Sequence, residues 1–186
     1  NKHMKEGYNI SRKEKEIFEK RGYAPTYGEL TKDGIKDLLD NIDTKEKVFA
    51  DLGSGTGNVV MYVKELYPDM FGYVGIEYSP TRHKIAQKKR KALKQDKSNV
   101  YFINDDITND KLLYTDYDII YVSNLCFTSL VSNKIGEKIA KECKPGTHIF
   151  CSKPLNLDKS CNCKINNANV KQTWSESSKI ICYEIV

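Results

Sequence analysis

The stretch Asp51-Leu-Gly-Ser-Gly-Thr-Gly-Asn58 decides the fold. It follows the short apolar run Val48–Leu52 and precedes a segment, Val59 to Tyr67, that reads as a helix stopped by Pro68. A strand that breaks into glycines and then into a helix is a ligand-binding turn. Glycine lets the backbone bend sharply and approach a ligand without a Cβ clash, and the first N–H groups of the new helix are free to face that ligand. The pattern is not GxxxxGK[ST], so it is no phosphate-cradling P-loop. Nor is it GxGxxG, which would need glycine at Asn58. Taken alone, the turn leaves open which nucleotide-like ligand it holds.

Outward from the turn, the chain alternates strand and helix. Tyr73 to Glu77, Val100 to Asn104, Asp118 to Ser123 and Thr147 to Ser152 read as strands; Pro80 to Gln95 and Ser132 to Cys143 read as helices. Such alternation predicts a doubly wound parallel α/β sheet, with ligands beyond the carboxyl ends of the strands. Lys171 to Trp174 and Ile180 to Val186 are expected to add a closing antiparallel pair, giving seven strands. Upstream, Ser11 is placed to cap a helix reaching Arg21, and Thr31 to cap one within Tyr27 to Asp43. The polar stretch Asn156 to Asn169 reads as a loop. The domain boundary is set at residue 26, with a helical arm over residues 1–26 and the sheet domain over 27–186.

Composition narrows the class less. With 186 residues one domain is the simplest reading; hydrophobic residues make up 39% and suffice for a core. No run approaches the ~18 apolar residues of a membrane span, and the charged N-terminus predicts no signal peptide. The six cysteines are expected to be reduced thiols of an intracellular protein. Cys161-Asn-Cys163 lacks the usual CxxC spacing of zinc sites, and no metal site is expected. The net charge of +5 is modest, but Arg82, Lys84, Lys88, Lys89, Arg90, Lys91 and Lys94 crowd one helix. That helix reads either as a DNA contact or as a solvated face, and KKRK (Lys88–Lys91) has the form of a nuclear localisation signal.

Carboxylates then mark the ligand. Glu77 ends the second strand 20 residues beyond Gly57, where a carboxylate can accept from both ribose hydroxyls. Asp105-Asp106-Ile107 follows the third strand, offering an acceptor for an adenine amino group and an apolar face for the ring. The form D-x-G-x-G-x-G is the one used by class I methyltransferases, so the set Asp51, Glu77 and Asp106 points to S-adenosylmethionine. The fourth strand ends in Ser123-Asn-Leu-Cys-Phe127, neither NPPY nor DPPY, which disfavours an amide or base nitrogen as methyl acceptor.

Five elements, in order, resemble the Dot1-like histone lysine methyltransferases, a class I and non-SET family. Tyr27-Gly-Glu29 is similar to that family's YGE, Asp51–Asn58 to DLGSGVGQ, Val122–Phe127 to VNNFAF and Ser152-Lys-Pro154 to part of SSKPF; Trp174 and Tyr183 resemble a Trp and a Tyr on its last two strands. The resemblance implies a Rossmann-like fold and transfer of methyl from S-adenosylmethionine to a histone lysine, leaving S-adenosylhomocysteine. It implies cofactor contacts at Tyr27, Glu29, Asp51, Gly53, Gly55, Gly57, Asn58, Glu77, Asp106, Ile107 and Asn124. It also implies a lysine channel lined by Phe127, Ser152, Trp174 and Tyr183, beside Asn124. A monomer in the nucleus, acting on nucleosomes or free histones, is the matching expectation. Two rival readings use the same residues: a class I methyltransferase of another protein or RNA, and a chromatin-binding module that keeps the fold without strong catalysis.

Overall fold

The computed structural model describes residue 7 and residues 9–25, 28–93 and 99–186. Helix α1 (Arg12–Arg21) starts in a capping box: Ser11 Oγ accepts from Glu14 N, and the Glu14 carboxylate accepts from Ser11 N. Helix α2 (Lys32–Leu39) starts at Thr31, whose hydroxyl accepts from Gly34 N. The sequence predicts a longer helix beginning near Tyr27. It is shorter because residues 29–31 spend their backbone elsewhere. Thr31 N donates to Lys171 O (3.3 Å), Glu29 N to Thr173 Oγ1 (3.1 Å), and Thr173 N to Glu29 O (2.9 Å). Tertiary bonds thus replace the intrahelical ones.

Five parallel strands follow: β1 (Val48–Leu52), β2 (Gly72–Glu77), β3 (Val100–Asn104), β4 (Ile119–Val122) and β5 (His148–Cys151). Helices α3 (Asn58–Leu66), α4 (Pro80–Ala92) and α5 (Ser129–Glu142) connect them. The last two strands, β6 (Cys163–Gln172) and β7 (Ser175–Ile185), run antiparallel and complete a seven-stranded sheet of order β3-β2-β1-β4-β5-β7-β6. Alternate strand residues feed two cores. Phe49, Tyr73, Ile119 and Tyr121 pack with Ile35, Val59 and Val63 of α2 and α3; Ala50, Leu52, Ile76, Ile120 and Val122 pack with Ile135 and Ile139 of α5. Strand order reverses between β1 and β4, so the carboxyl ends of those strands form the expected ligand crevice.

The C-terminal hairpin departs from the sequence reading. Residues 163–169 are strand rather than loop, and β6 pairs with β7 alone among the named strands. Its Lys164 to Asn167 run is exposed, as suits a sheet edge, where polar side chains discourage further pairing. Trp174 lies in the turn between β6 and β7 rather than on a strand.

Glu14 has a second task beyond its own helix. Its carboxylate accepts from Ser79 Oγ (2.8 Å), Thr81 Oγ1 (2.8 Å) and Thr81 N (3.1 Å) at the start of α4, where the helix dipole favours negative charge. Burial raises its pKa, but the bonds from Ser11, Thr81 and Ser79 outweigh it and bring the carboxyl down to about 2. A depressed folded-state pKa stabilises above the unfolded value and is lost as pH falls towards the folded one. Glu14→Gln should therefore lower the melting temperature at pH 7, and the gap to the parent should shrink between about pH 4.5 and pH 2. Melting curves across that range check it.

Candidate active site

Gly53, Gly55 and Gly57 carry φ of 93°, 55° and 84°, a left-handed run that only glycine sustains cheaply. A Cβ on Gly57 would come 2.6 Å from the Phe102 ring. Gly53 N and Ser54 N both donate to Ile76 O (2.8 and 2.9 Å), which pins the turn to β2. Gly55 N then donates to Glu77 Oε1 (3.0 Å) and Ser79 N to Glu77 Oε2 (2.7 Å). One carboxylate thereby holds the turns after β1 and β2 together.

Above this turn lies a cavity of about 320 Å³. Of the residues singled out in the sequence, Glu29, Asp51, Gly53, Gly55, Glu77, Ile107, Phe127 and Trp174 line it, as does Arg82 of the basic helix. Three carboxylates thus share one wall, and all three are buried. Burial, then the negative charges of Glu29 and Glu77, push the Asp51 pKa well above the ordinary aspartate value. Burial raises that of Glu77 as well, against the lowering effects of Arg82 and the N–H bonds from Ser79 and Gly55. A cation in the cavity would relieve this repulsion.

Other predicted residues stand behind the wall. Asn58 Nδ2 donates to both Glu29 oxygens (3.2 and 2.9 Å), while its Oδ1 accepts from Lys89 Nζ (2.7 Å). Since the lysine can only donate, it fixes which way the amide faces, and Asn58 orients Glu29 instead of lining the cavity. Gly57 caps α3 and likewise stays off the wall. Asn124 is fully buried: Oδ1 accepts from Ser152 N and Lys153 N (both 2.9 Å), and Nδ2 donates to Lys153 O (3.1 Å) and Ser132 Oγ (3.2 Å). Three hydrogen bonds of the amide clamp the β4 loop to the β5 loop, and the fourth ties it to Ser132 of α5. Ser152 serves that clamp through its backbone. Tyr183 lies on β7 beside β5, with its ring packed in the core, where its hydroxyl accepts from Leu155 N (3.2 Å). Asp106 turns its carboxylate towards α1 and away from the cavity wall. Tyr27 falls outside the described residues.

The wall also contains residues that sequence reasoning passed over. Ser54, Tyr121 and Ser123 line the cavity, and the hydroxyls of Ser54 and Tyr121 are buried without a hydrogen-bond partner. A tyrosine inside the apolar run Ile119–Val122 was the available signal. Phe18, Tyr23, Ala24 and Tyr78 also contribute; nothing in the local pattern marked the first three. The basic helix proves narrower than its composition. Arg82 is buried and donates to Gly7 O (2.8 Å) and Pro25 O (2.6 Å); Lys89 is held by Thr56 and Asn58; Arg90 donates to Val100 O. Lys84, Lys88 and Lys91 remain exposed, one helical stripe at i, i+4 and i+7, and Lys94 lies outside the described residues. Among the described residues no helix is long and apolar enough to cross a membrane, and no group of three His, Cys, Asp or Glu is arranged to hold a metal.

Strand order, glycine turn and crevice define a Rossmann-like class I methyltransferase fold. The family described as "Histone methylation protein DOT1" matches residues 18–183, and the chain belongs to it. Among solved structures, the pyocyanin biosynthetic protein PhzM aligns with a TM-score of 0.63 and 12% identity, covering 83% of this chain and 55% of that one. PigF with SAH gives 0.57 and 16%, covering 83% and 61%. A chain from the complex between the Haloferax volcanii Trm112 methyltransferase activator and a putative methyltransferase gives 0.64 and 11%, covering 94% of each. At such identities these likenesses speak to fold. The chain spans about half the length of the first of them. No curated protein matches the sequence.

The Asn124 clamp makes a specific demand. Asn124→Ala removes a fully buried amide and its bonds to the part-buried Ser152 N–H, Lys153 N–H and Lys153 carbonyl, which should cost about 1–3 kcal/mol. Urea denaturation should show the lowered midpoint, and a midpoint equal to that of the parent would contradict the clamp.

Proposed function

We propose that the chain transfers a methyl group from S-adenosylmethionine to a lysine side-chain amine of a histone. The observation that carries the reading is the cavity over the Asp51–Asn58 turn, walled by three buried carboxylates, in a chain of this family. The residues fit that cofactor. A group bearing a sulfonium and an ammonium suits a wall whose carboxylates repel one another. Two partnerless buried hydroxyls, Ser54 Oγ and Tyr121 OH, await polar atoms of a ligand. Asp51, Gly53, Gly55, Glu77 and Ile107 are the proposed cofactor contacts, with Glu29 beside them and Asn58 holding Glu29 in place.

Bound there, S-adenosylmethionine supplies an electrophilic methyl group, and S-adenosylhomocysteine remains as product. The chain supplies the acceptor's surroundings. Phe127, Tyr121 and the half-exposed Trp174 (48% accessible) line the approach. Lysine ordinarily titrates near 10.4; an apolar aromatic wall disfavours its ammonium form and promotes the neutral amine that can attack. Alignment and exclusion of water then account for the rate, and no dedicated base is needed. A histone acceptor would place the protein in the nucleus, and Lys84, Lys88 and Lys91 are the proposed nucleosomal DNA contact.

Incubation with recombinant nucleosomes, and separately with free histones, should give methyl-lysine by mass spectrometry. Methylation confined to RNA or to non-histone protein would contradict the histone assignment. Tyr121→Phe gives a finer check. Its hydroxyl has only the Ser123 side chain for a polar neighbour and no well-formed hydrogen bond to lose, so the melting temperature should hold, while kcat/KM falls about tenfold through loss of one ligand hydrogen bond. Unchanged kinetics would remove that hydroxyl from the site.

A further inference from the structure

The segment divided off at residue 26 is not peripheral to the site. Phe18, Tyr23 and Ala24 are part of the cavity wall. Tyr23 packs edge-on to Phe127 (centroids 5.1 Å apart) and against Tyr78 (6.0 Å), and Phe18 stacks on Tyr78 (5.9 Å). Besides the Arg82 bond to Pro25 O (2.6 Å), three ties hold the segment down. Glu14 grips the start of α4 through Ser79 and Thr81. Thr128 N donates to Gly22 O (3.0 Å). At the third, Tyr23 OH donates to Asp106 Oδ1 (2.5 Å) and Arg21 Nη1 to Asp106 Oδ2 (3.2 Å).

That third tie uses the carboxylate expected from the sequence to read the adenine amino group. Oδ1 also accepts from Thr108 N (2.9 Å) and Thr108 Oγ1 (2.7 Å), so this oxygen already takes three donors. Oδ2 faces Arg21. The neighbouring Ile107 lines the cavity while Asp106 does not. A hydrogen bond to an ionised carboxylate is stronger than a neutral one, so the Tyr23 and Arg21 contacts suit a latch.

We propose that Asp106 is a positioning residue that acts through Tyr23. It latches the 12–25 segment as the roof of the cofactor cavity, and the roof's rings, rather than the Asp106 carboxylate, meet the planar base of the ligand. Phe18, Tyr23, Tyr78, Phe127 and Ile107 form the apolar slot. The idea rests on the proposed S-adenosylmethionine site, but the latch itself is a property of the chain without ligand.

The test uses the whole chain as parent, Tyr23→Phe, Asp106→Asn and the double variant. Calorimetry measures affinity for S-adenosylhomocysteine and for S-inosylhomocysteine, which carries a carbonyl in place of the adenine amino group. A latch predicts that each single variant weakens both ligands by a similar factor, about tenfold, and that the double variant is no weaker than the worse single one, as partners in one interaction require. Loss of S-adenosylhomocysteine affinity in Asp106→Asn, with S-inosylhomocysteine unaffected and Tyr23→Phe silent, would overturn it in favour of direct adenine reading. Hydrogen exchange separates this from the cofactor assignment. Without ligand, amides of residues 12–21 should exchange faster in Tyr23→Phe and Asp106→Asn than in the parent, even if neither nucleoside binds. Exchange equal to the parent in both variants would refute the latch whatever the ligand proves to be.

Discussion

Three buried carboxylates at the ends of neighbouring chain segments are the constraint on which the rest of the site turns. Glu29, Asp51 and Glu77 share one cavity, where burial penalises the charged forms of Asp51 and Glu77. Such a cluster persists only when its oxygens are supplied with donors. The glycine turn supplies Glu77 with the Gly55 N–H, the start of α4 supplies it with that of Ser79, and Asn58 supplies Glu29. Lys89, far along α4, completes the arrangement by forcing the Asn58 amide to present its NH₂. A cation between the carboxylates would remove the remaining cost, and this physical fit, alongside family membership, underlies the methyltransferase reading.

Around that wall the structure builds walls by clamping loops that are distant in sequence. Asn124 fastens the loop after β4 to the loop after β5. The backbone of residues 29–31 fastens the approach to α2 onto the end of β6, which brings Trp174 to the rim. Glu14, Gly22 and Asp106 fasten α1 and the residues after it over the cavity. Each clamp pairs buried or part-buried polar groups, so the cavity's shape follows from hydrogen-bond accounting as much as from apolar packing.

The parts legible in the sequence were those set by local rules. Glycines after an apolar run place the turn; Ser11 and Thr31 cap the helices they were expected to cap; the two-sided apolar run Ile119–Val122 is the central strand it looks like. What was not legible depended on contacts across the chain. Residues 163–169 are mostly polar and form an exposed sheet edge, and polarity alone reads as loop. Asn124 and Tyr183 sit in recognisable motifs, yet the structure turns one into a loop clamp and the other into core. The α1 roof carries no motif at all: Phe18 and Tyr23 gain their place through Tyr78, α4, Asp106 and Phe127.

The central claim, that the carboxylate-lined cavity holds S-adenosylmethionine, is tested most directly by calorimetric titration of the chain with that ligand over a range of pH. The account predicts one bound molecule per chain and an affinity that falls on acidification, beginning above the ordinary aspartate value of about 3.9, because the Asp51 pKa is raised in the free protein and the protonated group no longer attracts a cation. Absence of binding at neutral pH, or an affinity that does not change as the pH is lowered through that range, would contradict it.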